Sequence, residues 1–334
     1  MSIGLESQEV ERKVLTILRI ISESPEPVGA RIVSRRLQCH GIELSERAVR
    51  YHLKLMDERG LTSLIGRDGR CVTEQGIEEM HNALVRDKVG LALSRIEMKA
   101  FQTSFNSKTL TGLVPVNVSL FSKDSFNEAL MVMAPVFNAK LCAGKRVAVA
   151  KEGEQLGEFV IPEGKVGFAT ICSVLINGIL LKAGIPMDSR FGGILQIRNR
   201  QPLRFVELIH YAGSSLDPSE VFIRGRMTSV QKTAHGGNGK ILANFREIPS
   251  ICRPIAEEAV ASLCETGLCG LLMMGNTSEP VCEITVDLNK IGVILVGGMN
   301  PVAAAEEAGI EADNKAMGAM MEYQELTTFE ELLK

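Results

Sequence analysis

At 334 residues, with 45% hydrophobic and 23% charged side chains, the chain is long enough for two or three packed domains and too apolar for extensive disorder. A net charge of −3 excludes an evenly basic polyanion binder. No apolar run reaches the roughly 20 residues that span a bilayer, and the acidic start MSIGLESQEVERK is no secretory signal, so a soluble cytoplasmic protein without a membrane partner is expected.

In chain order, Val10, Val14, Ile17, Leu18 and Ile21 recur at three- and four-residue spacing and predict a first helix through residue 22, with Ser7 as its cap and Pro25 and Pro27 beyond its end. A second helix is predicted over 28–37, followed by a break at Cys39-His40-Gly41. Ser45 caps a third, SERAVRYHLKLMDER, which stops at Gly60. At about 100° per residue, Val49, Leu53 and Met56 share one side of this helix and Arg47, Arg50, Tyr51 and Lys54 the other. Residues 61–65 and 70–73 read as short strands around Gly66-Arg67-Asp68-Gly69.

Three helices and a basic-tipped hairpin form a winged helix-turn-helix over 1–85. Between Val28 and Val72 nine Lys and Arg face five acids, a local excess in an otherwise acidic chain. The predicted partner is double-stranded operator DNA, met by Arg35, Arg36, Ser45, Arg47, Arg50, Tyr51, Lys54, Arg67 and Arg70. Guanidiniums on such a helix can take guanine edges bidentately, while hydroxyl and ammonium groups hold phosphates.

Helical residues from 74 to 99 lead onward, with 86–108 as a connecting helix. Leu84, Val85, Val89, Leu91, Leu93 and Ile96 suit it either to a homodimer contact or to covering the sheet that follows.

From 109 to 334 the chain repeats itself. A shift of 125 residues lays KVGFATICSVLINGILLKAGIPMDSRFGG over KIGVILVGGMNPVAAAEEAGIEADNKAMG, pairing Lys165 with Lys290, Asp188 with Asp313 and Arg190 with Lys315. The copies span about 109–228 and 235–334. Each reads as helix, strand, strand, strand, helix, strand, which makes the whole chain α+β / α/β, a winged helix-turn-helix followed by a duplicated mixed α/β effector domain. Two such copies are expected to pack as a pseudo-symmetric pair.

The duplicated half contains no G-x-S-x-G, H-E-x-x-H or phosphate-loop motif, so no catalytic residue and no cofactor are expected. The eight cysteines are scattered, and the nearest pair, Cys264 and Cys269, lacks zinc or redox spacing, so most are expected to be reduced and buried, and no metal is expected. Its strand-to-helix loop Gly297-Gly298-Met299-Asn300-Pro301, matched by Cys172-Ser173, offers free amides to a carboxylate. With Arg190, Arg224, Arg226, His235 and Lys315, the residues Gly298 and Asn300 make a candidate effector site for a small dicarboxylate.

The helix VRYHLKLMDERGL, FGGILQIRNRQPLRFVELIHYAGSSLDP, FIRGRMTSV and IGVILVGGMNPVAAAEEAGIEADNKAMG resemble the NrpR family of archaeal nitrogen-regulation repressors over nearly the full length. The resemblance implies repression of nitrogen-fixation and ammonium-assimilation genes, with 2-oxoglutarate as the inducer. Some members carry two effector domains, and this chain has room for one, which implies a homo-oligomer or a separate homologous effector chain as partner. Two other readings stand beside it. One is an enzyme acting on a carboxylate metabolite, suggested by the matched acids Asp188 and Asp313; the other is an effector half that only dimerises.

Overall fold

The computed structural model describes residues 3–24, 26–39, 42–66, 69–82 and 90–333, in two compact units, Met1–Lys88 and Val89–Lys334.

In the first unit, α1 (Ile3–Ser22), α2 (Ala30–Cys39) and α3 (Glu46–Glu58) precede a hairpin of β1 (Thr62–Ile65) and β2 (Gly69–Val72), and α4 (Glu74–Asn82) follows. Helix α1 starts a turn earlier than predicted, so Ser7 lies inside it rather than capping it. Val14, Ile17, Leu18 and Ile21 from α1, Val33 and Leu37 from α2, and Val49, Leu53 and Met56 from α3 bury together as one core, the result of their three- and four-residue spacing. The hairpin is sewn to this core by a main-chain bridge between Val28 and Arg70. Gly69 is needed there: at φ +138, a Cβ would sit 2.5 Å from the Val28 carbonyl carbon. His40, Gly41, Arg67 and Asp68 lie outside the described residues, as do Pro25, Leu84, Val85 and Val89.

The second unit opens with α5 (Leu91–Gln102) and contains the duplication. Its first copy runs β3 (Leu113–Ser122), α6 (Phe126–Asn138), β4 (Arg146–Lys151), a small hairpin of β5 (Gln155–Leu156) and β6 (Phe159–Val160), β7 (Lys165–Ile171), α7 (Val174–Lys182) and β8 (Asp188–Arg198). A second hairpin strand, β9 (Gln201–His210), and two short helices, α8 (Pro218–Arg224) and α9 (Val230–Gly236), join the copies. The second copy is β10 (Gly239–Pro249), α10 (Arg253–Glu265), β11 (Leu271–Thr277), β12 (Lys290–Val296), α11 (Asn300–Glu307) and β13 (Ala312–Glu322), with β14 (Thr327–Thr328) and α12 (Phe329–Leu332) after it. Each copy thus begins with a strand, β3 or β10, that the predicted order lacked. Sequence 283–286, aligned with β6, forms only an isolated bridge, Val281 to Ile284.

The copies are not two self-contained domains. One five-stranded sheet has the order β13-β3-β7-β4-β14 and the other β11-β12-β10-β8-β9. The last strand of each copy leaves its own sheet and completes the other one: β8 pairs antiparallel with β10, Ala243 opposite Gly193, and β13 pairs antiparallel with β3, Asp313 opposite Leu120. Between the sheets a single core mixes both copies, with Val116, Val118 and Ile171 from one and Ile248, Val293 and Leu295 from the other. Helix α5 buries Ala92, Ile96 and Ala100 against Cys172, Val174, Tyr211 and Met317 and leaves Met98 and Phe101 exposed. Cys264 and Cys269 are joined in a disulfide, the exception to the mostly reduced thiols expected; the turn Thr266-Gly267 between them brings the sulfurs together.

Candidate functional site

Ser45 accepts a hydrogen bond from the Ala48 N–H at 3.2 Å and starts α3. With Val49, Leu53 and Met56 fully buried, the opposite face, Arg47, Arg50, Tyr51 and Lys54, stands in solvent, and Tyr51 is 64% exposed. Arg50 pairs with Glu46 and Lys54 with Glu58, 3.8 Å away, both exposed i,i+4 pairs that cost little to exchange for phosphates. Arg35 is also exposed.

Three of the predicted DNA contacts are committed elsewhere. Arg36 Nη1 donates to Ser24 Oγ at 2.6 Å and so ties α2 back to the end of α1. Arg70 Nε donates to Asp57 Oδ2 at 2.8 Å, mostly shielded from solvent, and fixes the hairpin to α3. The Ser45 hydroxyl is occupied by its cap. Arg67 lies outside the described residues. Beneath the face, the His52 imidazole is held below its ordinary pKa by burial and, next, by the charge of Lys13.

In the second unit, both strand-to-helix loops of the duplication, Cys172-Ser173 and Gly298-Met299, converge on one small cavity, as the pseudo-symmetry requires. Its other walls are Asn117 and Met317 from the β3/β13 pair, Asn244 and Arg246 from β10, Tyr211 and Asp217 from the joint, and Ile96 from α5. A polar chain crosses it: Tyr211 Oη donates to Asn244 Oδ1 at 2.5 Å and Asn244 Nδ2 to Ser173 Oγ at 3.0 Å. Asn117 Oδ1 accepts from the Met317 N–H at 3.1 Å.

Arg246 dominates the electrostatics. It is 1% exposed, its guanidinium lies 4.9 Å from the centre of the Tyr211 ring, and its Nε and Nη1 have no hydrogen-bond partner. An unsatisfied buried guanidinium is expensive, and a carboxylate would satisfy it. Burial raises the Asp217 carboxyl above its ordinary range, although the Ser219 N–H, at 2.9 Å, and the charges of Arg95 and Arg246 oppose this. The buried Cys172 thiol is pushed up to about 11 by desolvation, so it stays protonated.

Of the predicted effector residues only Gly298 reaches this cavity, where a Cβ would meet the Ile171 carbonyl oxygen at 2.2 Å. The others are not brought together. Arg190 is taken by Asp188, Asp287 and Glu247 at 3.2–3.5 Å, in a cluster that also holds Lys290. Those three carboxylates could geometrically share an ion, but Arg190 and Lys290 already pair with them and offset two of the three charges. Lys315 lies over the Phe159 ring at 4.5 Å in the opposite sheet, because strand exchange separates β8 from β13. The same exchange parts Asp188 from Asp313. Arg224 and Arg226 line a second cavity of about 240 Å³ beside Glu220, Glu306, Glu311 and Asp313, an environment too acidic for a dicarboxylate. His235 Nδ1 is engaged with the Gln231 carbonyl at 2.8 Å. Asn300 is fully buried and clamps α11 to β10, accepting from the Leu242 N–H at 2.8 Å and donating to the Leu242 carbonyl at 3.1 Å.

The sequence reading missed Arg246, Tyr211, Asn117, Asn244 and Asp217. The one usable signal was a lone arginine inside the apolar run ILANFREIP.

A model of the NrpR regulatory domains NRD1 and 2 matches residues 89–328, nearly the whole second unit. The chain belongs to the NrpR family. A ribonuclease R winged-helix model matches residues 15–80 of the first unit. Among NrpR relatives, the global nitrogen regulator NrpRI of Methanosarcina mazei is 41% identical over 95% of this chain and 97% of its own length. The global nitrogen regulators NrpR of Methanococcus maripaludis and Methanocaldococcus jannaschii are each 33% identical, over 90% and 88% of this chain, which spans about half of their length (52% and 51%). The crystal structure of a nitrogen repressor-like protein from Methanococcus jannaschii has a TM-score of 0.60 at 27% identity, covering 71% of this chain and 98% of that one. These NrpR relatives are named as regulators, which removes the enzyme reading suggested by Asp188 and Asp313. Among the described residues no helix is long and apolar enough to cross a membrane.

Proposed function

We propose that this NrpR-family chain is a DNA-binding repressor of nitrogen-assimilation and nitrogen-fixation genes, relieved by a small dicarboxylate of the 2-oxoglutarate class. The exposed face Arg47, Arg50, Tyr51 and Lys54 meets the duplex, with Arg35 positioned to add a phosphate contact. A homodimer supplies the second DNA unit, or a homologous effector chain as partner supplies a second effector domain.

The observation that carries the effector part is Arg246, buried with two unpartnered nitrogens on the wall of a cavity built by both copies. One ligand carboxylate pairs with that guanidinium, and the hydroxyl and amides of Tyr211, Asn244 and Asn117 take the rest of the ligand. As it stands the cavity is about 20 Å³, room for a water and not for a dicarboxylate. Binding therefore requires the walls to part, and one wall is Ile96 of α5, the first helix after the connection to the DNA unit. A ligand that favours the opened state shifts the population away from the DNA-binding arrangement by its differential affinity.

Fluorescence anisotropy on labelled promoter DNA, with and without 2-oxoglutarate, tests both parts. Binding at low salt that weakens tenfold or more with ligand supports the proposal. Unchanged affinity removes the effector, and no binding to any duplex removes the repressor.

A further inference from the structure

Strand β9 ends the sheet β11-β12-β10-β8-β9, and beyond it there is no further strand among the described residues. It is ten residues long, and six of them are exposed. Long open edges are templates for pairing with another chain, and folds normally cover or shorten them. The other sheet shows such cover: on its edge strand β13, the Ala316 N–H and carbonyl are taken by the side chains of Glu220 and Arg95. Strand β9 instead presents Leu203 at 39% and Leu208 at 42% exposure.

The charges on β9 are self-complementary. Counted by its partners on β8, Arg204 lies opposite Gln196, Phe205 opposite Leu195 and Glu207 opposite Ile194, with Val206 as the extra residue of a bulge. Arg204 and Glu207 therefore stand one ladder step on either side of Phe205, on the same sheet face. Within the chain, Arg204 Nε donates to Gln196 Oε1 at 3.1 Å, and neither charge has an ion-pair partner among the described residues. The second bulge, at Leu203, puts Pro202 and Leu208 the next step out on the opposite face.

We propose that β9 is the joint between two copies of this chain. It pairs antiparallel with itself about a two-fold axis at Phe205, placing Arg204 opposite Glu207 of the partner subunit and Glu207 opposite Arg204 of the partner subunit. An axis perpendicular to the sheet keeps like faces together, so both ion pairs form on one face, while Pro202 meets Leu208 of the partner subunit on the other. The two five-stranded sheets merge into one. The occupant is a second copy and not an unrelated peptide, because the charge order reads the same from both directions only against itself. This surface is independent of the ligand reading above.

Sedimentation equilibrium of the full chain tests it. The unaltered protein should be dimeric. Arg204→Glu sets like charges against each other twice across the axis, as does Glu207→Arg, and each should raise the dissociation constant at least tenfold without altering the circular dichroism spectrum. Mixing these two variants should restore dimers, since each doubly acidic strand then faces a doubly basic one, an outcome that misfolding cannot produce. A monomeric unaltered chain, single variants that dimerise as before, or a mixture that stays monomeric would each overturn the proposal.

Discussion

Replacing Arg246 with Met separates two roles that a buried arginine can have. If the guanidinium were a fold element, its loss would resemble breaking a buried ion pair, about 3–5 kcal/mol. The structure argues otherwise. Nε and Nη1 are unpartnered, and each unmade buried donor costs roughly 1–3 kcal/mol that a methionine would not incur. Against this stand the contact over the Tyr211 ring, worth about 0.5–2 kcal/mol, and some support for the buried Asp217 carboxylate. These contributions oppose each other, so Arg246→Met should destabilise the unliganded chain by no more than about 2 kcal/mol. The ligand response should change far more. A dicarboxylate at a hundred times its Kd stabilises the unaltered protein by about 2.7 kcal/mol, and in Arg246→Met that increment should vanish. Urea denaturation followed by circular dichroism, with and without 2-oxoglutarate, gives both numbers. A loss above about 3 kcal/mol without ligand would show that Arg246 holds the fold, and a retained ligand increment would place the dicarboxylate elsewhere.

Arg47→Ala and Arg50→Ala should each weaken promoter binding by about 1–3 kcal/mol in anisotropy titrations while leaving urea midpoints unmoved, since both side chains are solvent-exposed. Gly298→Ala forces a Cβ to within 2.2 Å of the Ile171 carbonyl oxygen and should lower stability by about 1–3 kcal/mol, read as an earlier urea transition of the second unit. His52 takes its proton at lower pH when folded than its ordinary 6.5, because burial, then Lys13, disfavours the charged ring. The unfolded chain therefore binds the proton first, and stability of the first unit is full above about pH 6.5 and declines as pH falls below it, levelling once the folded imidazole also titrates. Urea midpoints at pH 7.5 and 5.5 should show this decline, and His52→Leu should flatten it.

Local order was legible where spacing alone decides it. The stripe Val49, Leu53, Met56 fixed which side of α3 packs, and the 125-residue shift matched β7 with β12 residue for residue. Partner choice was not legible. Nothing in FGGILQIR says that β8 pairs with β10 of the other copy, so residues matched by the repeat, Arg190 and Lys315, were read as neighbours although exchange sends them to different sheets. The charged groups that looked free in sequence, Arg70 and Arg190, proved to be satisfied by Asp57 and by the Asp188, Glu247 and Asp287 cluster. The cavity's own cation hid in a strand whose alternation is masked by burial on both faces, and β9 carries Pro202, a residue that strands accept at an edge but rarely inside a sheet.

The crossing of β8 and β13 governs how the second unit is built in time as well as in space. During synthesis β3 emerges early, yet Phe121 must wait for Ala312 before its outer ladder can close, and the intervening loop has to be paid for in chain entropy first. A chain cut in the joint between α8 and α9 should leave two fragments with one incomplete sheet each, recoverable only when both are mixed.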